Sequence, residues 1–131
     1  MAAGSTARVH KDLYAVHFLR KSIVFGDDGN ELIMGTIPSG SVIVKAMSGV
    51  YISTAFDAGS TNTVNMGTTA DPNLYGTLLA AGATTFVPLD EAVSPVVTAD
   101  AVMSVTVVLT GTAATAGAGE AIIAYIPDTD G

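Results

Sequence analysis

The sequence predicts an all-β protein, an antiparallel β-sandwich or jelly roll of about eight strands behind an N-terminal arm. Three observations point there. Apolar residues recur with a period of two, most clearly over 42–56 and 101–109. Clusters of Gly, Pro, Asn, Asp and Ser punctuate the chain between these runs. Helical periodicity is almost absent, and many short turn-separated strands are the signature of a sandwich. The chain has 131 residues, which fits one domain burying about two thirds of its unfolded surface. A core of that size stands without disulfides, and there is no Cys. We divide the chain into an arm, 1–18, and a sandwich, 19–131.

The elements follow in order. Residues 1–7 are small and polar, and Arg8 to Phe18 mixes charges with Val9, Leu13, Tyr14 and Val16 as a first strand or an extended arm. Leu19 to Phe25 alternates, Gly26-Asp27-Asp28-Gly29-Asn30 is a dense turn signal, and Glu31 to Ile37 alternates again. Together 19–37 predicts a hairpin. Ile37-Pro38-Ser39-Gly40 is a turn, because Pro fixes φ and Gly accepts positive φ. From Val42 to Phe56 one parity carries Val42, Val44, Val50, Ile52 and Phe56, assigned to the core. The other carries Ile43, Met47 and Tyr51. A straight strand of that length would reach roughly 50 Å, far beyond ordinary strands, so a bend at Ser48-Gly49 is expected. A loop over 57–62, a short strand over 63–68 and a turn at Ala70-Asp71-Pro72-Asn73 come next. Leu74 to Ala81 has the one locally helix-compatible look. Pro88 places 83–89 at a sheet edge, and Ser94-Pro95 opens a short run over Val96-Val97-Thr98. Ala101 to Leu109 is a clean half-buried strand. Gly111 to Gly119, GTAATAGAG, reads as a flexible hairpin loop. Glu120 to Pro127 is apolar on both faces, so it is central or meets a partner subunit.

Charge narrows the function classes. The net charge is −7, and all five basic residues lie within the first 45 positions. Residues 46–131 carry eight acids and no base. Such a body repels phosphate backbones, which argues against direct nucleic-acid binding. Only 13% of residues are charged while 49% are hydrophobic, against about 25% charged in ordinary domains. Oligomer contacts or a Ser/Thr/Gly surface must make up the difference. No membrane span explains it, since the charge-free 101–119 contains Ser104, Thr106, Thr110, Thr112, Thr115 and three glycines. The N-terminus has no apolar signal core, so synthesis and use without signal-directed secretion are expected.

The residues that could carry chemistry are sparse. His10 and His17 are seven apart, which puts them on opposite faces of a strand. Asp27 to Glu31 lacks the ordered spacing of a calcium loop. Asp57, Asn62, Asn65, Asp71 and Asn73 gather around two loops as oxygen ligands or ordinary turn residues. Asp90 and Glu91 are adjacent and would diverge in a strand. No nucleophile and base are suggested together, so neither an enzyme nor a cofactor is expected.

Several motifs then form a familiar order. Gly40 precedes the Val/Ile run 42–44, and Ala55-Phe56-Asp57 closes that strand. Val64-Asn65-Met66-Gly67-Thr68, Ala70-Asp71-Pro72-Asn73 and Leu74-Tyr75 follow. Val105-Thr106-Val107, Thr110-Gly111-Thr112, the Ala/Gly loop and Ala121-Ile122-Ile123-Ala124-Tyr125 complete the series. Over roughly 36–126 this resembles the head decoration (cement, minor capsid) proteins of tailed phages. The resemblance implies a jelly-roll-like body outside the shell, made in the host cytoplasm, often a homotrimer, bridging major capsid subunits. Residues 1–35 fall outside it. From charge alone, Arg8, Lys11, Arg20 and Lys21 are the expected capsid contacts. From the two-sided apolar strands, Ile43, Met47, Tyr51, Ile123 and Tyr125 are the expected oligomer interface. A different class of reading is a carbohydrate- or receptor-binding module of a tail, baseplate or head fibre. Asn62, Asn65, Asp71 and Tyr75 would form its site, although no Trp is present to stack on a sugar.

Overall fold

A computed structural model describes residues 15–128. Among the described residues nine strands form two antiparallel sheets. They are β1 (His17–Val24), β2 (Glu31–Ile37), β3 (Val42–Ile43), β4 (Gly49–Thr54), β5 (Thr61–Thr68), β6 (Gly76–Ala80), β7 (Phe86–Pro88), β8 (Ala101–Thr110) and β9 (Ala118–Ile126). The five-stranded sheet runs β1-β9-β4-β7, with β3 also on β9, and the four-stranded sheet runs β2-β8-β5-β6. β3 and β4 lie along the same side of β9 as two pieces of one interrupted strand. Counted as one, they leave eight strands in which the first pairs the last, the second the seventh, the third the sixth and the fourth the fifth. That is the pairing of a long hairpin rolled into two sheets, the jelly-roll connectivity.

This connectivity corrects two sequence expectations. Residues 19–37 form no hairpin: β1 pairs β9 and β2 pairs β8, in different sheets. The turn between them is a 3-10 segment, Phe25–Asp27, that carries the chain across the sandwich. It is held where it crosses, because Asp27 accepts the Val24 amide at 2.9 Å and Asp28 accepts the Leu109 amide at 2.9 Å. Likewise GTAATAGAG is not a hairpin loop, since β8 and β9 belong to opposite sheets. Nor is it loose. The Asp57 carboxylate accepts the amides of Thr115 (2.8 Å) and Ala116 (2.9 Å) and the Thr115 hydroxyl (2.8 Å). Those bonds hold the Asp57 carboxyl below the ordinary aspartate range, the Ala116 amide contributing most. The helix-compatible 74–81 becomes strand β6, with Gly76 and a bulge opposite β5.

The interruption of the long strand falls earlier than expected, in a 3-10 turn over Lys45–Met47. Buried Ser48 stitches it down: its hydroxyl donates to the Val44 carbonyl (2.8 Å) and accepts the Ala124 amide (2.9 Å). The turn resets the side-chain alternation. Ile43 is therefore buried and Val42 exposed, the reverse of the assigned parity, while Val50, Ile52 and Phe56 face the core as expected. Gly49 follows directly, and a Cβ there would collide with the Val87 carbonyl of β7. The core lies between the inner sheet faces. Val50, Ile52, Ala121 and Ile123 from one sheet meet Val64, Met66, Met103, Val105 and Val107 from the other. β9 has strands on both sides in its sheet; its inward residues Ala121 and Ile123 are in the core, while outward Ile122 is half-buried.

Candidate functional site

The outer face of the five-stranded sheet presents the candidate site. Its rows follow from register. Ser22 pairs Glu120, Glu120 pairs Tyr51 and Tyr51 pairs Phe86, so these four lie in a line across the sheet. The neighbouring row is Arg20, Ile122, Gly49 and Pro88, and the next begins with Phe18 opposite Ala124. Phe18 (48% exposed), Tyr51 (47%), Phe86 (39%) and Met47 (45%) are large apolar side chains left in solvent here. Directly opposed strand residues have Cβ atoms about 5 Å apart, so Tyr51 and Phe86 form one continuous aromatic surface. Gly49 keeps the middle of the face low.

One ion pair crosses this surface. Arg20 reaches diagonally to Glu120, donating through Nε (3.0 Å) and Nη2 (2.5 Å) to the same carboxylate oxygen. The hydrogen bond, and then the Coulomb attraction, raise the Arg20 pKa above its ordinary value. The pair is exposed, so it contributes little to stability. It does place one charge of each sign on the apolar face.

Of the expected capsid contacts, Arg20 and Lys21 are among the described residues. Arg8 and Lys11 lie outside the described residues. Arg20 is engaged by Glu120, and Lys21 is exposed on β1 with its side chain on the opposite parity. The expected oligomer residues also divide. Met47 and Tyr51 are on the outer face. Ile43 and Ile123 are core residues with almost no accessible surface, which corrects their placement on an outer face. Tyr125 is half-buried, its ring 5.6 Å from that of His17 at 45°. Phe18 and Phe86 were not singled out from the sequence. Phe86 carried a signal, standing two residues before the edge-marking Pro88.

The loop residues considered for a glycan or cation site are not brought together. Asn62 clamps Ala58, accepting its amide at 2.7 Å and donating to its carbonyl at 3.0 Å. Asn65 accepts the Leu78 amide at 2.7 Å. The Asp71 amide donates to the Thr68 hydroxyl at 3.1 Å, closing the turn between them. Tyr75 is buried, and burial raises its pKa. Among the described residues no group of three or more His, Asp or Glu could hold a metal ion.

No family model matches the chain, and no curated protein matches it. A solved structure is similar in fold: a chain of the "Cyanophage Pam1 capsid asymmetric unit", with a TM-score of 0.63 and 17% identity, over 86% of this chain and 85% of that one.

Proposed function

We propose that the protein is a non-catalytic structural component of a phage particle, a decoration (cement) protein attached outside the head. The observation that carries the reading is the outer face bearing Phe18, Tyr51 and Phe86 with the Arg20–Glu120 pair among them. Adjacent exposed aromatics, here Tyr51 beside Phe86, on a charge-poor surface mark a protein contact. The fold likeness to a chain of a capsid asymmetric unit supports the same direction. In this reading copies associate, as a homotrimer, through the face that holds Met47 and Tyr51. The N-terminal arm, with Arg8 and Lys11, and Lys21 on β1 reach carboxylates of neighbouring major capsid subunits. Each contact is weak, and several arms on one oligomer raise the overall affinity.

The test is occupancy. Purified protein is added to heads that lack it, and cosedimentation and cryo-electron microscopy report where it binds. Saturable binding outside the shell is expected, reduced by Tyr51→Ser with Phe86→Ser. Saturable glycan binding without head binding would replace the reading with a receptor-binding one.

A further inference from the structure

β1 is an edge strand with one side of its backbone open. Its eight residues pair β9 in an unbroken register, and among the described residues no strand lies on the other side. The ladder itself shows which groups are left over. The Phe25 amide donates to the Gly117 carbonyl at 3.0 Å, one step beyond the Val24–Ala118 pair. In an antiparallel ladder hydrogen-bonded pairs alternate with unbonded ones, so Ile23, Lys21 and Leu19 bond to β9. The N–H and C=O groups of Phe18, Arg20, Ser22 and Val24 therefore point away from the sheet. The outward Val24 amide is capped by the Asp27 carboxylate at 2.9 Å, as that parity requires. No such partner is present for Phe18, Arg20 or Ser22 among the described residues.

The other edges are blunted in three different ways. β2 is broken by a bulge between Ile33 and Gly35, β6 carries the left-handed Leu78, and β7 has three residues ending in Pro88. β1 has neither bulge nor proline, and carries charge instead. Among the described residues the Lys and Arg side chains are Arg20, Lys21 and Lys45. Arg20 is held by Glu120, and Lys45 by the Glu91 and Val93 carbonyls at 2.5 and 3.4 Å. Lys21 is exposed, and its ammonium has no ion pair or hydrogen bond among these residues. A second β1 is a poor partner for this edge. The outward groups belong to the even-numbered residues, so an antiparallel copy must lay even against even. The two fullest registers then oppose Arg20 to Arg20 or Lys21 to Lys21, and directly opposed like charges destabilise a sheet.

We infer that the free edge of β1 receives an extended acidic strand of another protein, which adds one antiparallel strand to the five-stranded sheet. Its backbone takes the outward N–H and C=O groups of Phe18, Arg20 and Ser22. A carboxylate opposite Lys21 meets the free ammonium, and an apolar side chain opposite Phe18 covers the exposed ring on the outer face. Lys21 sets the specificity, because a neutral or basic strand would cover it without giving it a partner. The edge is a property of the free protein, so its test stands apart from the capsid reading.

Amide hydrogen exchange of the full-length protein, read by NMR, tests this directly. In the free protein Phe18, Arg20 and Ser22 should exchange at least about tenfold faster than Leu19, Lys21 and Ile23. The capped peptide TTETVVT places Glu opposite Lys21 and Val opposite Phe18, and should protect those three amides saturably. Its counterpart TTKTVVT should bind about fivefold more weakly or worse, and Lys21→Glu should reverse that order. Ser22→Pro removes an outward N–H but no bond to β9, so it should weaken binding about tenfold while Leu19 and Lys21 stay protected. Slow exchange of the three amides in the free protein overturns the inference, since the edge is then already filled. Protection that rises with protein concentration alone overturns it in favour of a second copy. Equal binding of the two peptides, or no protection at millimolar TTETVVT, overturns it outright.

Discussion

The two outer faces of the sandwich are built on the same alternation and end up with opposite chemistry. On the four-stranded sheet the outward positions include Glu31, Ser104, Thr106, Thr63 and Asn65 beside the exposed Ile33, and most of their polar groups bond to one another or to nearby backbone, the buried Thr106 hydroxyl excepted. Ser104 donates to Glu31 at 2.9 Å, Thr63 to the Val108 carbonyl at 3.0 Å, and Asn65 holds the Leu78 amide. Leu78 itself has a left-handed backbone, φ 51°, within the bulge that Asn65 pins. On the five-stranded sheet the outward positions include Phe18, Ile122, Tyr51, Phe86 and Pro88 beside Arg20, Ser22 and Glu120, and the side-chain bonds there are the Arg20–Glu120 pair and the Ser53 hydroxyl on the Ala118 carbonyl at 3.2 Å. A face whose hydrogen-bonding groups satisfy each other gains little from a partner. A face of unsatisfied apolar area gains about 25 cal/mol for each Å² it covers. If copies associate as proposed, the five-stranded sheet is the face expected to gain most from it.

The largest expected effects separate core from face within the five-stranded sheet. Ile43→Ala and Ile123→Ala should each cost about 2–5 kcal/mol in denaturant unfolding, as buried truncations do. Met47→Ala and Tyr51→Ala should stay within about 0.5 kcal/mol. Equal losses at all four positions would erase the distinction. Next comes the turn that interrupts the long strand. Ser48→Ala strands the buried Ala124 amide and should cost about 1–3 kcal/mol. A neutral result would remove Ser48 as its anchor.

Association sharpens the comparison of the faces directly. Tyr51→Ser with Phe86→Ser should weaken self-association at least about tenfold by analytical ultracentrifugation, the loss expected for central aromatics. Ile33→Ser, on the other face, should leave it unchanged, and the reverse pattern would move the interface to the four-stranded sheet. The smallest effect belongs to the loop joining the sheets. Asp57 titrates below its ordinary value in the folded protein, so its contribution is complete above the ordinary aspartate range. It is lost as pH falls through the lowered native value. The amide resonances of Thr115 and Ala116 should titrate with that lowered midpoint. A midpoint at or above the ordinary value would mean the clamp does not form.

Much of this was legible from residue order because strand alternation and turn chemistry are local. Val50, Ile52 and Phe56 were placed in the core by parity, Pro88 marked an edge, and 101–109 announced a half-buried strand. The residues of the candidate face were only partly legible. Tyr51 and Met47 shared a parity with Ile43, but the turn at Lys45–Met47 shifts the alternation, so the three part company. Phe86 comes beside Tyr51 only through the pairing of β4 with β7, and Phe18 joins the same face, two rows away, only through β9.

By itself, then, the sequence determined an all-β domain, the positions of most strands and turns, and a body without basic residues after Lys45. The tertiary structure decided which strand pairs which. The first strand takes the last as neighbour, so an adjacent pair that reads as a hairpin is split between sheets. The physical reason is that a period of two specifies a buried face but not its partner. Partner choice depends on how all inner faces fill one core, and on close approaches such as Gly49 against β7 that no local pattern encodes.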